Sequence, residues 1–261
     1  EMRILVSGST RRAELDPVVR KHPVRMTPQT LGEPYARLEH LRRCGQLPAD
    51  LHADLTVLQR LPAVLDHASD AVTAVVRGAL LLDVEPGDTT DACFGLAVDL
   101  GTTTVVASLI DLRDGRERAH AATVNQQTRF GHDVVSRINV TLEREDGLRA
   151  LRAAAHGSIA KVWREAAAAA GVRADQVYEV ALVGNATMMH LCLGIDPATL
   201  GRMPYVATVG QAVEAPAVAA GIEAHPEARV YVLPNIAGFV GADTVGAILS
   251  CGLDEDDGRI R

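Results

Sequence analysis

Residues 97–111 read AVDLGTTTVVASLID, two apolar runs joined by a short polar turn. The turn carries one carboxylate, one glycine and three hydroxyls, on Asp99, Gly101, Thr102, Thr103 and Thr104. A tight turn between adjacent strands points several backbone N–H groups to one side, glycine lets a ligand oxygen approach closely, and hydroxyls add hydrogen-bond donors. Such a concave set of amide dipoles suits an anion, above all a phosphate.

Asp99 separates two interpretations of this turn. Its carboxylate would repel a bare phosphate, but it is well placed if a Mg²⁺ ion lies between the two, bound by the carboxylate directly or through water. Alternatively, the segment is a simple hairpin in which the aspartate and the threonines make local turn bonds. The turn alone leaves both interpretations open.

The composition of the whole chain narrows the classes of function. Of its 261 residues, 48% are hydrophobic and 23% are charged, as is ordinary for a globular protein with a sizeable core. An aromatic content of 3% and a net charge of −7 argue against binding nucleic acid. No segment reaches the length of a membrane-spanning helix, and the N-terminus lacks a signal pattern. We therefore expect a cytoplasmic protein that binds neither nucleic acid nor membrane.

The four cysteines predict no metal cluster in this chain. They lie tens of residues apart, at positions 44, 93, 192 and 251. Structural zinc sites and iron–sulfur clusters usually show closely spaced thiols. We expect isolated and mostly buried cysteines.

The first 91 residues predict a small α/β domain. Residues 17–26 are typical of an extended segment, and residues 71–91 of two strands around Gly78. A helix is predicted over 32–45, with Pro34 in its first turn, Gly45 at its end, and one apolar face formed by Leu31, Tyr35, Leu38 and Leu41. A second helix is predicted over 49–68, with Pro62 as a break or kink and a face formed by Leu51, Leu55, Leu58 and Leu61.

Residues 92–261 predict a second, larger α/β domain. Its elements are expected in the order strand, strand, strand, helix, strand, helix, strand, helix. The strands are predicted at 94–100, 104–112, 116–124, 178–184 and 229–235, with a hairpin at Asp114 and Gly115. In the helix of residues 129–143, Val134, Val135, Ile138 and Leu142 mark the expected apolar face. Its polar residues, Arg129, His132, Asp133 and Arg137, either face the cleft or a protein partner or lie on a solvated face, and the solvated face is the simpler expectation.

Two further turns carry residues with chemical potential. Gly184, Asn185 and Thr187 follow a buried strand, at the edge where open α/β sheets bind ligands. Asn185 could contact a ligand, cap the following helix, or do both. Gly238, Gly241 and Asp243 precede another helix. Asp243 either takes part in chemistry at a site or caps the helix. The helix dipole favours its ionised form in both cases.

The turn motif DLGTTT resembles the first phosphate motif of the ASKHA superfamily of acetate and sugar kinases, hsp70-type chaperones and actin. Three other stretches, NQQTRFGHDVVSRI (125–138), LVGNATMMHLCLGIDP (182–197) and VLPNIAGFVGADTVGA (232–247), resemble ATP-dependent reductive activators of corrinoid proteins. The VEPGD segment at 84–88 also matches that family. One departure is Gln126, where the family usually has proline.

The resemblance implies a specific activity and fold. Such activators use ATP, with Mg²⁺, to drive the reduction of a Co(II) corrinoid on a partner protein to Co(I). The electron reaches the corrinoid through a [2Fe–2S] cluster on an N-terminal ferredoxin-like domain, which accepts it from an upstream donor. The nucleotide lies between the two lobes of a ribonuclease-H-like fold. In the sugar kinases of the superfamily, an aspartate equivalent to Asp243 is the general base.

The resemblance also predicts how this chain divides. Residues 1–91 correspond to a linker domain and residues 92–261 to the first ASKHA lobe, which would supply the first half of the ATP site. No ferredoxin cysteine pattern and no second phosphate motif occur in the sequence. We therefore expect this chain to be part of a longer protein and to be inactive alone. Whether the protein forms a homodimer stays open. Two alternatives remain: a small-molecule kinase of the same superfamily, or a non-catalytic docking scaffold with a degenerate nucleotide site. Cysteines upstream and a second D-x-G-T motif downstream in the reading frame would favour the activator.

Overall fold

The computed structural model describes residues 14–32, 34–67, 71–238 and 240–251. The chain divides into two compact units. The N-terminal unit consists of Leu15–Phe94 together with Asp111–Gly115. The C-terminal unit contains Gly95–Ile110 and the chain from Arg116 onward. Within the described residues, no helix combines the length and apolar character needed to cross a bilayer.

The N-terminal unit contains a four-stranded sheet in the order β1-β3-β4-β2. Its elements are β1 (Val19–Arg25), α1 (Arg37–Gly45), β2 (His52–Ala53), α2 (Leu55–His67), β3 (Ala71–Arg77) and β4 (Leu80–Pro86). Strand β3 pairs antiparallel with β1 and β4, and β2 pairs parallel with β4. The two helices and one face of the sheet enclose an apolar core that includes Val24, Leu41, Leu61 and Leu81. The two-strand prediction for 71–91 is confirmed.

Both predicted helices of this unit are shorter than the periodicity indicated. Helix α1 begins only after Ala36, which is extended, so Leu31 lies outside it and is fully exposed. Residues His52 and Ala53 pair with β4, which keeps the chain extended until α2 begins at Leu55. Because the helix begins at Leu55, the side chains that face the core are not the set predicted for a helix over 49–68. Leu55 and Leu58 are therefore exposed, while Val57 and Leu61 are buried, and α2 continues through Pro62.

The C-terminal unit is built on a six-stranded sheet in the order β7-β6-β5-β8-β10-β9. Its elements are β5 (Phe94–Leu100), β6 (Thr104–Asp111), β7 (Arg116–Val124), α3 (Val134–Glu143), α4 (Gly147–Ala170), β8 (Val177–Val183), α5 (Ala186–Leu193), β9 (Val213–Pro216), β10 (Arg229–Val232) and α6 (Ala242–Cys251). Strand β10 pairs parallel with β8 and antiparallel with β9. The α/β class and the predicted order of its main strands are confirmed, while the short edge strand β9 was not predicted.

The predicted face of α3 is wrong at two of its four positions. Val135 and Leu142 are exposed, at 57% and 62% of their surface. The buried residues of α3 are instead Ile138 and the charged Arg137. The periodicity could not show this because the acceptors that hold the Arg137 guanidinium lie elsewhere in the chain.

Candidate functional site

Three glycine-containing turns meet at one edge of the six-stranded sheet. The first follows β5, the second follows β8, its neighbour in the sheet, and the third precedes α6. A Cβ atom on Gly184 would lie 2.7 Å from the carbonyl oxygen of Leu100, and one on Gly241 would lie 2.5 Å from Cα of Asn185. Because contacts this close exclude a side chain, the glycines allow the three turns to pack backbone to backbone.

The carbonyl groups of residues 101–103, in the first turn, each accept a hydrogen bond from Asn125 or Arg137. Asn125 Nδ2 donates to the Gly101 carbonyl at 2.8 Å, and the Asn125 amide donates to that of Thr103 at 2.8 Å. Arg137 Nη2 donates to the Thr102 carbonyl at 2.6 Å. The amides of residues 101–103 have no acceptor among the described residues. Successive N–H groups of this turn are therefore available to an anion, and the phosphate site stays a prediction.

A buried polar network supports this turn from below. Asn125, Gln127 and Arg137 are fully buried. Gln127 Oε1 accepts from Asn125 Nδ2 and from Arg137 Nη1, each at 3.2 Å, and Gln127 Nε2 donates to the Leu151 carbonyl at 2.9 Å. Buried polar side chains that satisfy one another in this way fix a single backbone conformation.

The expectation that Arg137 lies on a solvated face is wrong. The other three polar residues predicted on that face, Arg129, His132 and Asp133, are exposed as expected. Asp133 also caps α3. The only sequence signal for the network was the presence of Asn125 and Gln127 directly after a strand.

Gln126, which stands where the family usually has proline, also has a local role. Its amide donates to Ser158 Oγ at 2.9 Å, a bond that proline could not make.

The second turn is joined to the first through Asn185. Its Oδ1 accepts from the Met188 amide at 3.0 Å, which caps α5, and its Nδ2 donates to Thr102 Oγ1 at 2.9 Å. Asn185 is thus a helix cap and also orients a hydroxyl of the first turn. Thr187 is 4% exposed and lines a cavity of about 180 Å³ together with Asn185 and Gly238.

The third turn places Asp243 in the first turn of α6. Since α6 begins at Ala242, Asp243 follows the first helical residue and does not occupy the capping position. Its Oδ1 nevertheless accepts from the Thr244 amide at 2.8 Å, so Asp243 satisfies an amide of the first turn and both alternatives stay open. The Asp243 amide donates to the Gly184 carbonyl at 3.1 Å, which ties the third turn to the second. Gly238 packs against the carbonyl of Tyr205, with no room for a side chain.

The electrostatics of the site centre on two carboxylates. The pKa of Asp99 is raised, mainly by partial desolvation of a side chain that is still exposed at the surface, and also by the negative charge of Asp243. Two carboxylates that repel each other beside open amides fit a divalent cation, because Mg²⁺ is usually bound by one or two carboxylates together with phosphate oxygens and water. Asp99 and Asp243 are the residues that could hold it.

Three other reactive side chains, His190, Cys93 and Cys192, are buried and not exposed to a ligand. His190 accepts from the Thr208 amide through Nε2 and contacts the Ala186 carbonyl through Nδ1, and burial lowers its pKa, which keeps it neutral. Burial raises the pKa of the Cys93 thiol to about 11 and that of Cys192 to about 12. No group of three or more histidine, cysteine or acidic residues in the described part of the chain could hold a metal ion. An iron–sulfur cluster therefore does not fit these residues.

Comparison with known proteins extends these observations. The family model described as "RACo middle region" matches residues 94–256, and that described as "RACo linker region" matches residues 8–91. The chain is 28% identical over 255 residues to the corrinoid activation enzyme RamQ of Eubacterium limosum, a match that covers 97% of this chain and 42% of that protein.

A solved structure shows the same fold. It is a reductive activator for corrinoid, iron–sulfur protein, with a TM-score of 0.86 and 33% sequence identity. The match covers 95% of this chain and 40% of the activator, so the chain spans less than half the length of both relatives. With more than half of its residues matched by one family model and most of the remainder by the second, the chain belongs to the RACo family, as a linker region followed by a middle region.

Proposed function

We propose that this chain is part of an ATP-dependent reductive activator of a corrinoid protein and supplies the first half of its ATP site. The observation that carries the proposal is the convergence of the three turns, with the open amides of residues 101–103 beside Asp99 and Asp243. The names of the two relatives support corrinoid activation as the purpose of that site.

Each turn has a separate role in this proposal. Gly101, Thr102, Thr103 and Thr104 bind the terminal phosphates of ATP through backbone amides and hydroxyls. Asn185 holds the Thr102 hydroxyl in place, and the glycines at 184, 238 and 241 allow the turns to approach one another. Asp99 binds Mg²⁺ directly or through water, and Thr187 lies beside the site. A bound Mg²⁺ ion would neutralise charge on the phosphate oxygens.

Asp243 is proposed as the residue that acts on the attacking water. Its position in the first turn of α6 places it close enough to Asp99 for their charges to interact. In that role its carboxylate orients the water and accepts its proton during ATP hydrolysis.

ATP hydrolysis is then coupled to a one-electron transfer between proteins. The family resemblance implies that a [2Fe–2S] cluster on a separate domain would supply the one electron that reduces Co(II) of the bound corrinoid to Co(I). An upstream donor would reduce the cluster again. This chain holds no cluster among its described residues, so its contribution is the nucleotide site and the linker region.

The direct test is an activation assay with the full-length protein, meaning the complete natural product of the gene that encodes this chain. The protein is mixed with a Co(II) corrinoid protein and a chemical reductant, and formation of Co(I) is followed by visible absorption. We expect Co(I) to form with Mg-ATP and not with a non-hydrolysable analogue. Equal formation with and without ATP would contradict the proposal.

A further inference from the structure

Arg137 carries a buried positive charge that no carboxylate of the described residues neutralises. The guanidinium contacts the carbonyls of Gly131 and Thr102, Gln127 Oε1 and Met188 Sδ, at distances of 2.6 to 3.2 Å. All four partners are uncharged. The acidic residue whose field reaches it is Asp133, and this exposed carboxylate is already engaged with the amide and hydroxyl of Ser136.

An isolated buried charge is costly, because it loses its hydration and gains only dipoles in exchange. Burial lowers the pKa of Arg137 to about 10, so the side chain still carries its charge at neutral pH. That charge lies directly below the first turn, one hydrogen bond of 2.6 Å from the Thr102 carbonyl. The open amides of residues 101–103 belong to the same turn.

We propose that Arg137 is a positioning residue for the phosphate chain of the nucleotide, and that the phosphates supply the countercharge its burial lacks. The inference rests on the proposed ATP site and adds a residue outside the turn motifs. Arg137 acts in two ways. Its hydrogen bond fixes the Thr102 carbonyl away from the ligand, and its charge attracts the anion through a low-dielectric interior that water screens poorly.

A structural role and an electrostatic role can be separated at Gln127. Q127E places a carboxylate at the atom that already accepts from Arg137 Nη1, so it neutralises the buried charge while the arginine and its bond to Thr102 remain. The change also removes the Nε2 donor to the Leu151 carbonyl, a structural loss that thermal unfolding measures. The matched control is Q126E, which adds the same charge one residue earlier on an exposed side chain, where water screens it. R137M removes the charge at position 137, and R137K retains it.

The experiment measures binding of Mg-tripolyphosphate and of Mg-ATP to the full-length protein by calorimetry, with thermal unfolding as the check on folding. We expect Q127E and R137M to bind tripolyphosphate at least tenfold more weakly, and Q126E to stay within twofold of the unaltered protein. R137K should lose less affinity than R137M. Affinity of folded Q127E within twofold of the unaltered protein would overturn the inference.

Two further outcomes keep the test decisive. If Q127E does not fold, equal losses in R137K and R137M overturn the inference, and a smaller loss in R137K supports it. If no variant folds, the unaltered protein decides: tripolyphosphate must raise its melting temperature more than adenosine does, and the opposite order overturns the inference. Failure of the unaltered protein to bind either Mg-ATP or Mg-tripolyphosphate would instead overturn the proposed ATP site itself.

Discussion

Asp243 and Asp99 repel each other across the site, and the fold gives them different surroundings. Asp99 lies at the end of β5, where partial desolvation and the neighbouring charge raise its pKa. Asp243 lies in the first turn of α6, where the helix dipole favours a negative charge. This asymmetry is consistent with a metal-binding role for the first carboxylate and a water-orienting role for the second.

Substitution Asp243→Asn should lower the ATPase rate of the full-length protein strongly, since general-base contributions are typically about 10²–10⁴-fold. Nucleotide affinity should change little, because the lost interaction belongs to the transition state. Phosphate release and nucleotide titration measure the two quantities. Asp243→Ala is the control for stability. Because Asp243 Oδ1 accepts from the Thr244 amide at 2.8 Å, the asparagine variant should melt close to the unaltered protein, and the alanine variant should lose about 0.5–2 kcal/mol of stability. An asparagine variant with an unchanged rate would remove Asp243 from the catalytic site.

The raised pKa of Asp99 predicts that binding of Mg-ATP is linked to pH. The folded protein without ligand holds this proton more tightly than a free aspartate does, and Mg²⁺ must displace it. In mildly acidic buffer, binding should therefore release a proton, and affinity should rise as the pH passes upward through the Asp99 pKa. Calorimetry in two buffers of different ionisation enthalpy measures the release.

The same pKa shift fixes the sign of the effect on stability. A carboxyl group with a raised folded-state pKa destabilises the folded protein increasingly above its unfolded-state pKa, where the free group has already ionised. Asp99→Asn removes that penalty, so without nucleotide it should melt no lower than the unaltered protein at neutral pH. A sharp drop in its melting temperature would identify Asp99 as a structural turn residue.

At the scale of elements, the turn before α6 packs against the beginning of α5 through backbone atoms. A Cβ on Gly241 would lie 2.5 Å from Asn185 Cα and 2.7 Å from the Ala186 amide nitrogen, and backbone cannot move aside cheaply. We expect Gly241→Ala to destabilise the protein by about 1–3 kcal/mol and to weaken nucleotide binding.

Gly246→Ala, within α6, is the control. Its Cβ would meet only the Val183 side chain, at 3.2 Å, and alanine favours a helix interior by about 0.5–1 kcal/mol. This variant should be close to neutral in thermal unfolding and in nucleotide titration. Equal effects of the two alanines would show that the close approach at Gly241 has no special importance.

The elements that sequence reasoning located best are those whose pattern is local. Strands β5 and β7 begin and end where alternation and turn residues predicted, and Gly115 adopts the positive φ that the hairpin requires. Helix faces were predicted less well. The start of each helix depends on tertiary contacts, such as the pairing of β2 with β4 before α2, and a shift of one residue rotates the whole face by about 100°.

The three turns of the candidate site were predicted from the sequence because each carries its own glycines and polar residues. The buried network of Asn125, Gln127 and Arg137 that supports the first turn was not predicted. Arg137 has the spacing of a surface residue, and its acceptors come from the turn after β5, from the segment after β7 and from α5. Only the folded sheet brings these segments together, so no local pattern could place the guanidinium in the interior.

At the scale of the whole molecule, this chain spans 42% and 40% of the two relatives. The family resemblance implies that a second lobe contributes the other phosphate contacts and the adenosine site. Each missing charge-assisted hydrogen bond costs about 1.5–3 kcal/mol. Loss of about three such bonds moves a micromolar site to the millimolar range, at about 1.4 kcal/mol per tenfold.

Residues 1–261 alone should therefore give little heat on titration with Mg-ATP. The full-length protein should bind under the same conditions. Circular dichroism of the shorter chain serves as the control, because weak binding is informative only if the chain is folded. Tight binding by the short chain would mean that the nucleotide site is complete within it and that the proposed division between two lobes is wrong.

The central claim, that the turn after β5 binds nucleotide phosphate through a metal ion at Asp99, is tested most directly by titrating Mg-ATP into the full-length protein and its Asp99→Asn variant. The matched control is Asp175→Asn, an exposed aspartate just before β8, at the opposite end of that strand from Gly184. A neutral amide is a poor Mg²⁺ ligand, so Asp99→Asn should bind at least tenfold more weakly while Asp175→Asn binds normally. Equal affinities in all three proteins would contradict the account.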